Sequence, residues 1–133
     1  MKNKSKLNKI KEKKQNVQMM PGEWLYFAPA GTTVRKILGA LEEAEYELEI
    51  WEDAGVLEVG MAEGETVDFE QTQIHPKDEV TAAFARENQC ETVFLVTFVP
   101  ENYSKAEKIM RRILAENGGI FCGDTAELEP VLR

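Results

Sequence analysis

The sequence predicts an α+β fold, with a mostly antiparallel sheet and helices on one face, arranged as a ferredoxin-like sandwich extended by a C-terminal βαβ unit. Residues 45–70 alternate apolar and acidic side chains through three short segments joined by Gly-bearing loops, which is the pattern of an antiparallel meander with one solvated face. Residues 92–99 are apolar on both parities, which is typical of a strand covered on both faces. Three further segments have the apolar spacing of amphipathic helices.

The predicted elements follow the order β-α-β-β-β-α-β-α-β, and a further helix is predicted to begin near Thr125. Strands are predicted at 23–29, 45–51, 56–61, 66–70, 92–99 and 120–122, and helices at 31–44, 76–89 and 104–117. Thr32 or Thr33 provides an N-cap for the first helix. Ser104 and Glu107 have the spacing of a capping box at the start of the last helix. A right-handed crossover through that helix predicts that the last strand lies parallel to the one before it.

Length and charge divide the chain into a tail and one domain. A chain of 133 residues suits a single domain with one core. Residues 1–16 contain seven Lys and a single carboxylate. Because the formal net charge of the whole chain is −8, the remaining residues together carry −14. A block of like charge with few apolar residues predicts a disordered basic tail over 1–20, followed by a single α+β domain over 21–133. A translation start at Met19 or Met20, which would remove the tail, is an alternative.

Charge and composition limit the classes of function. Between Ile37 and Pro76 there are 12 carboxylates and no Lys or Arg, so the body of the protein is a poor binder of phosphate backbones. No segment approaches the length of a transmembrane span, and no apolar segment follows the basic N-terminus as a secretory signal requires. Two Cys and a single His fit neither a disulfide framework nor a zinc site. We therefore expect a cytoplasmic protein with no membrane partner, metal or cofactor.

The acidic side of the predicted meander is the main candidate binding surface. A basic protein partner fits such a surface, because opposite charge speeds association and selects against acidic competitors. The candidate binding residues are Glu45, Glu47, Glu49, Trp51, Glu58, Asp68 and Glu70. Trp51 shares the acidic parity, and an aromatic ring beside carboxylates suits contact with Arg or Lys. Two alternatives remain: the face is only a solvated surface that discourages pairing between sheets, or the strand ends near Ile50 and Trp51 turns inward.

The stretch GGIFCGDT, residues 118–125, is the part of the chain most similar to an active-site loop. Cys122 would end a strand and Asp124 would follow it at the sheet edge, where α/β proteins place their sites, with His75 as the available base. A nucleophilic Cys needs a base, a cation or a helix N-terminus to lower its pKa, and a helix predicted from Thr125 supplies such a dipole. The nearest downstream groups, Asp124, Glu127 and Glu129, would instead raise the thiol pKa. The interpretation of Cys122 as a small core residue explains the stretch more simply.

These observations predict a small non-enzymatic binding module that uses an acidic sheet face on a basic protein partner. Charge alone suggests the analogy with the immunity factor of a nuclease toxin, since the neutralising partner of a cationic enzyme needs such a face. One alternative is a thiol-dependent enzyme centred on Cys122 and Asp124. A second alternative is nucleic-acid binding through the basic tail.

Overall fold

A computed structural model describes residues 20–133, in which one sheet of seven strands is accompanied by three α-helices. The strands are β1 (Glu23–Ala28), β2 (Glu47–Trp51), β3 (Val56–Gly60), β4 (Thr66–Thr72), β5 (Thr92–Thr97), β6 (Ile120–Gly123) and β7 (Val131–Leu132). The helices are α1 (Val34–Leu41), α2 (Glu79–Glu87) and α3 (Tyr103–Asn117). The α+β class is confirmed. The predicted basic tail lies outside the described residues except for Met20.

The sheet has the strand order β2-β3-β4-β5-β1-β6-β7, and every neighbouring pair is antiparallel. The predicted meander is present as β2, β3 and β4. Short 3-10 turns at Glu52–Ala54 and Ala62–Gly64 connect its strands. The meander therefore forms one end of the sheet, with β2 as its edge strand.

The first strand occupies the centre of the sheet. All of its residues after Glu23 are buried, because the strand is apolar on both parities and is covered on both faces. It pairs with β5 on one side and with β6 on the other, so β5 and β6 run in the same direction with one strand between them. The parallel direction of the two strands is as predicted, but neither the C-terminal βαβ unit nor the ferredoxin-like arrangement is confirmed.

Helices cover both faces of the sheet, which corrects the prediction of helices on one face. α1 and α3 pack on the face that contains Tyr26. α2 packs through Ala85 against Leu25 and Phe27 on the opposite face. The apolar cluster under α2 includes residues of β1, β5 and β6 but none of β2, β3 or β4. Among the helices of residues 20–133, none therefore packs against the second face of the meander.

Aromatic side chains fill the larger core between the sheet and the helices α1 and α3. Tyr26 stacks on Phe121 with 4.3 Å between ring centroids. The Tyr26 hydroxyl donates a hydrogen bond of 2.6 Å to the carbonyl of Gly118, the residue that follows α3. Burial raises the pKa of Tyr26, so the hydroxyl stays protonated and remains a donor. This bond attaches the end of α3 to the central strand.

The helix boundaries confirm one predicted cap and correct two predicted starts. The Thr33 side chain accepts the N–H of Lys36 at the start of α1, as predicted. A 3-10 turn at Pro100–Asn102 leads directly into α3, so the helix begins before Ser104. The helix predicted from Thr125 is absent from the described chain, which instead turns there and continues into β7.

Candidate functional site

The outward side of the meander forms a continuous anionic surface, which we call the acidic face. Side chains of one parity on β3 and β4 are fully buried against the core that contains α1 and α3, among them Leu57 and Phe69. The other parity points to the open side, because successive side chains of a strand alternate between faces. The acidic face consists of Glu47, Glu49, Trp51, Glu58, Asp68 and Glu70. Glu45 is exposed but precedes β2, which begins at Glu47.

Three carboxylates of the acidic face lie in register across adjacent strands. Glu49 is opposite Glu58, and Glu58 is opposite Asp68. Residues directly opposite each other have Cβ atoms about 4.5–5.5 Å apart, so like charges face one another at close range. We call Glu49, Glu58 and Asp68 the carboxylate row. Its mutual repulsion opposes folding, since like charges in this position destabilise a sheet.

The line of polar residues continues beyond the meander. Asp68 is opposite Thr97 on β5, and Thr97 is opposite Glu23 on β1. The backbone N–H of Asp124 donates a 3.0 Å hydrogen bond to the carbonyl of Glu23, which brings a further carboxylate to this edge. Partial burial, together with the charges of Glu23 and Asp78, raises the pKa of Asp124. The alternation of apolar and acidic residues in the sequence does not predict that Glu23 lies near Asp68. Only the pairing of β1 with β5 places Glu23 in the same line of residues across the sheet.

Trp51 lies on the acidic face with 49% of its surface exposed. It is opposite Val56, which in turn is opposite Glu70, so the alternative in which Trp51 turns inward is wrong. Trp24, the second of the two Trp in the chain, is fully buried. An exposed indole among carboxylates is a suitable contact for Arg or Lys, because a cation is attracted both to the ring and to the acids.

Within residues 20–133, no cation forms an ion pair with the carboxylate row. The ion pairs of this part of the chain are Arg35–Glu52, Lys105–Glu65 and Arg111–Glu107. Glu52 and Glu65 lie in or beside the two turns of the meander. Their partners Arg35 and Lys105 are therefore at the borders of the acidic face. The described part of the chain therefore supplies no ion-pair partner at the centre of the face.

Replacement of Glu58 by Gln is expected to raise the free energy of unfolding by about 0.5 kcal/mol at low salt. Glu58 lies between two carboxylates of the row, so the neutral amide removes repulsion on both sides. Screening should reduce the gain at high salt. The measurement is urea denaturation at two salt concentrations, with Glu127→Gln in an exposed turn as the control. A loss of stability in Glu58→Gln would show that this carboxylate has a favourable partner within the chain.

One end of the carboxylate row borders a pocket of ≈ 560 Å³. Asp68, Thr97 and Glu23 contribute to its lining. The Oδ1 atom of Asp68 is buried and has no hydrogen-bond partner among the described residues. Buried polar atoms are nearly always paired, so this atom distinguishes Asp68 from the exposed acids of the face.

The candidate nucleophile Cys122 lies in the core. It is fully buried on β6, opposite Leu25. Burial, and to a smaller extent the charge of Asp124, raises the pKa of the Cys122 thiol to about 12. Catalytic cysteines have lowered pKa values and partial exposure, so this environment is the opposite of the one that activates a thiol.

His75 and Asp124 line a separate pocket of ≈ 230 Å³ together with Asp78, and Cys122 does not line it. The His75 Nδ1 atom accepts the backbone N–H of Lys77 at 3.0 Å. Asp78 caps α2, where its carboxylate accepts hydrogen bonds from the N–H and hydroxyl of Thr81. Hydrogen bonding to Thr81 is the main reason that the pKa of Asp78 is lowered. These contacts account for His75 as part of a turn and for Asp78 as a helix cap.

Alkylation of Cys122 in the folded protein is expected to be at least about 100-fold slower at pH 7 than alkylation of an exposed cysteine. With a pKa of about 12, the thiolate fraction at pH 7 is on the order of 10⁻⁵, and burial also blocks the reagent. Iodoacetamide labelling followed by peptide mass spectrometry measures this directly, with the protein in urea as the reactive control. Rapid labelling of native Cys122 would instead support the thiol-dependent enzyme.

Neither a metal site nor a known relative defines the function. Within residues 20–133, no group of three or more His, Cys, Asp or Glu is arranged to hold a metal ion. In the same part of the chain, each helix is too short or too polar to cross a membrane. Comparisons with protein-family models, curated proteins and solved structures found no match. The function has to be inferred from the geometry and charge of the surfaces.

Proposed function

We propose that the protein is a small non-enzymatic binding module whose acidic face receives a basic protein partner, in the manner of an immunity factor. The observation that carries the proposal is the carboxylate row, three acids in register on adjacent strands with no ion-pair partner in the described chain. A partner that supplies Lys or Arg converts this repulsion into attraction.

The surroundings of the row support the same proposal. Trp51 provides an exposed aromatic contact at one end, and aromatic residues and Arg are enriched at the centres of protein interfaces. The surface is also broad, since it spans three strands that are about 4.8 Å apart. Such an anionic surface increases the rate at which a basic protein associates.

The two cysteines are consistent with a reducing compartment. Cys90 and Cys122 are both free and buried, and burial raises the pKa of each. Proteins of oxidising compartments commonly use paired cysteines as disulfides. We propose that the complex forms in the cytoplasm.

Affinity capture from a lysate of the native host tests the proposal. The full chain is used as bait beside a variant in which Glu47, Glu49 and Glu58 are replaced by Lys. The expected result is a basic protein that the native chain retains at low salt, that high salt releases, and that the variant does not retain. The captured protein is then purified and its 1:1 binding is measured.

A second variant provides the matched control. Replacement of Glu42, Glu43 and Glu116 by Lys changes the net charge equally, and these exposed residues lie at the ends of α1 and α3. This control variant should retain the partner, because its acidic face is intact. If both variants capture the same proteins as the native chain, or if no basic protein is captured, the acidic face is solvated surface and the proposed function is wrong.

A further inference from the structure

We propose that the pocket beside Asp68 receives an arginine side chain of the basic partner. This inference rests on the proposed function and identifies one contact of that same surface. The pocket is the recess of ≈ 560 Å³ at the end of the carboxylate row, a volume within the range of binding pockets for small ligands. It differs from the rest of the acidic face because it is concave and combines acceptors with apolar walls.

Hydrogen-bond acceptors line one part of the pocket. Asp68, Thr97 and Glu23 follow one another across β4, β5 and β1 in a single line of paired residues. Asn102, which precedes α3, lines the pocket as well. A guanidinium group carries five N–H donors in a planar fork and can serve several acceptors at once. An ammonium group offers three donors from one point, so this set of acceptors favours Arg over Lys.

Asp68 is the residue of the pocket that most requires a donor. Its Oδ1 atom is buried without a hydrogen-bond partner among the described residues. Across the sheet it is flanked by Glu58 and Thr97, and neither side chain donates a hydrogen bond to it in the structure. A charged donor would satisfy the carboxylate and offset its repulsion with Glu58.

Apolar groups line the remaining part of the pocket. Phe98, Val99 and Pro100 contribute to the lining, and Val99 is 57% exposed. The methylene groups of an arginine side chain commonly lie along apolar surface while the charged head reaches polar groups. The pocket therefore matches both the stem and the head of this side chain.

The test is an NMR titration of the isotopically labelled full chain with three short peptides, acetyl-Gly-Xaa-Gly-amide, in which Xaa is arginine, lysine or citrulline. The arginine peptide is expected to shift the amide signals of Asp68, Thr97 and Asn102. The citrulline peptide, which keeps the shape but lacks the charge, should not bind. The lysine peptide should bind more weakly, since its ammonium serves fewer acceptors.

Substitutions separate the pocket from general electrostatics. Asp68→Asn should weaken the arginine peptide by about tenfold or more, because a charged hydrogen bond is lost. Glu49→Gln removes the same charge from the exposed end of the row and should weaken it by less than about threefold. Glu23→Gln provides a second pocket variant if Asp68→Asn is unstable, and each variant is first checked by urea denaturation.

Several outcomes would overturn the pocket assignment. One is a shift pattern spread over the acidic face with equal losses in Asp68→Asn and Glu49→Gln, and another is equal binding of the lysine and arginine peptides. A third is the absence of shifts at the pocket. These results leave the proposed function intact if the basic partner is still captured, whereas arginine binding in the pocket without any captured partner supports the pocket and contradicts the proposed function.

Discussion

Replacement of Gly119 by Ala is expected to lower the free energy of unfolding by about 3 kcal/mol. Gly119 has a φ of 92°, and a Cβ atom there would overlap the carbonyl oxygen of Phe27 and lie 2.8 Å from the Tyr26 ring. Phe27 belongs to the central strand, which is paired on both sides, so its backbone cannot move aside without disturbing two strand pairs. The substitution combines a disfavoured backbone conformation with a collision in the core.

Gly118 supplies the matched control for this prediction. It also has a positive φ, 75°, but a Cβ atom there would meet nothing within 4 Å. Gly118→Ala should therefore cost less, on the order of 1–2 kcal/mol, which is the cost of the backbone conformation alone at φ 75° and ψ −163°. Urea denaturation followed by circular dichroism measures both variants. Equal losses of stability would mean that the collision of the added Cβ atom with β1 adds nothing to the cost of the Gly119 substitution.

The meander and the acidic face are predictable from sequence because each depends on a local pattern. Alternation assigns every residue of a half-buried strand to one face, and the predicted strands at 56–61 and 66–70 correspond to β3 and β4 within two residues. The same parity places Trp51 among the acids. Helix ends that follow simple signals, such as Thr33, are predictable for the same reason.

The strand order is not predictable from the same patterns, because it depends on contacts between distant segments. β1 and β5 are both apolar on two parities, which shows that each is central but not which strands flank them. The covering of Cys122 by the cluster under α2 likewise depends on residues far away in the chain. The pocket at Asp68 requires both β1 and the turn before α3, so its members could be recognised only after the fold was known.

Replacement of Glu47, Glu49 and Glu58 by Lys is expected to weaken the purified complex with the basic partner by about 100-fold or more at low salt. Three attractive charges become three repulsive ones at the centre of the interface, and these residues have no ion-pair partner in the described chain to reorganise. Isothermal titration calorimetry measures the affinity. The Glu42, Glu43 and Glu116 variant should lose less than about threefold, since exposed charges at a distance are screened by salt.

High salt should reduce the difference between the native chain and the acidic-face variant, because screening weakens attraction and repulsion alike. Circular dichroism is used to check that both variants are folded. An equal loss of affinity in the two variants would assign the effect to net charge, and the acidic face would then have no special place in the complex.

The most direct test of the binding surface is ¹⁹F NMR of the full chain labelled with 5-fluorotryptophan and titrated with the purified partner. The chain has two tryptophans, of which Trp51 is 49% exposed on the acidic face and Trp24 is fully buried. If the partner covers the acidic face, the Trp51 signal shifts in proportion to the bound fraction and the Trp24 signal stays in place. If calorimetry shows saturation while the Trp51 signal remains unchanged, the partner binds elsewhere on the molecule.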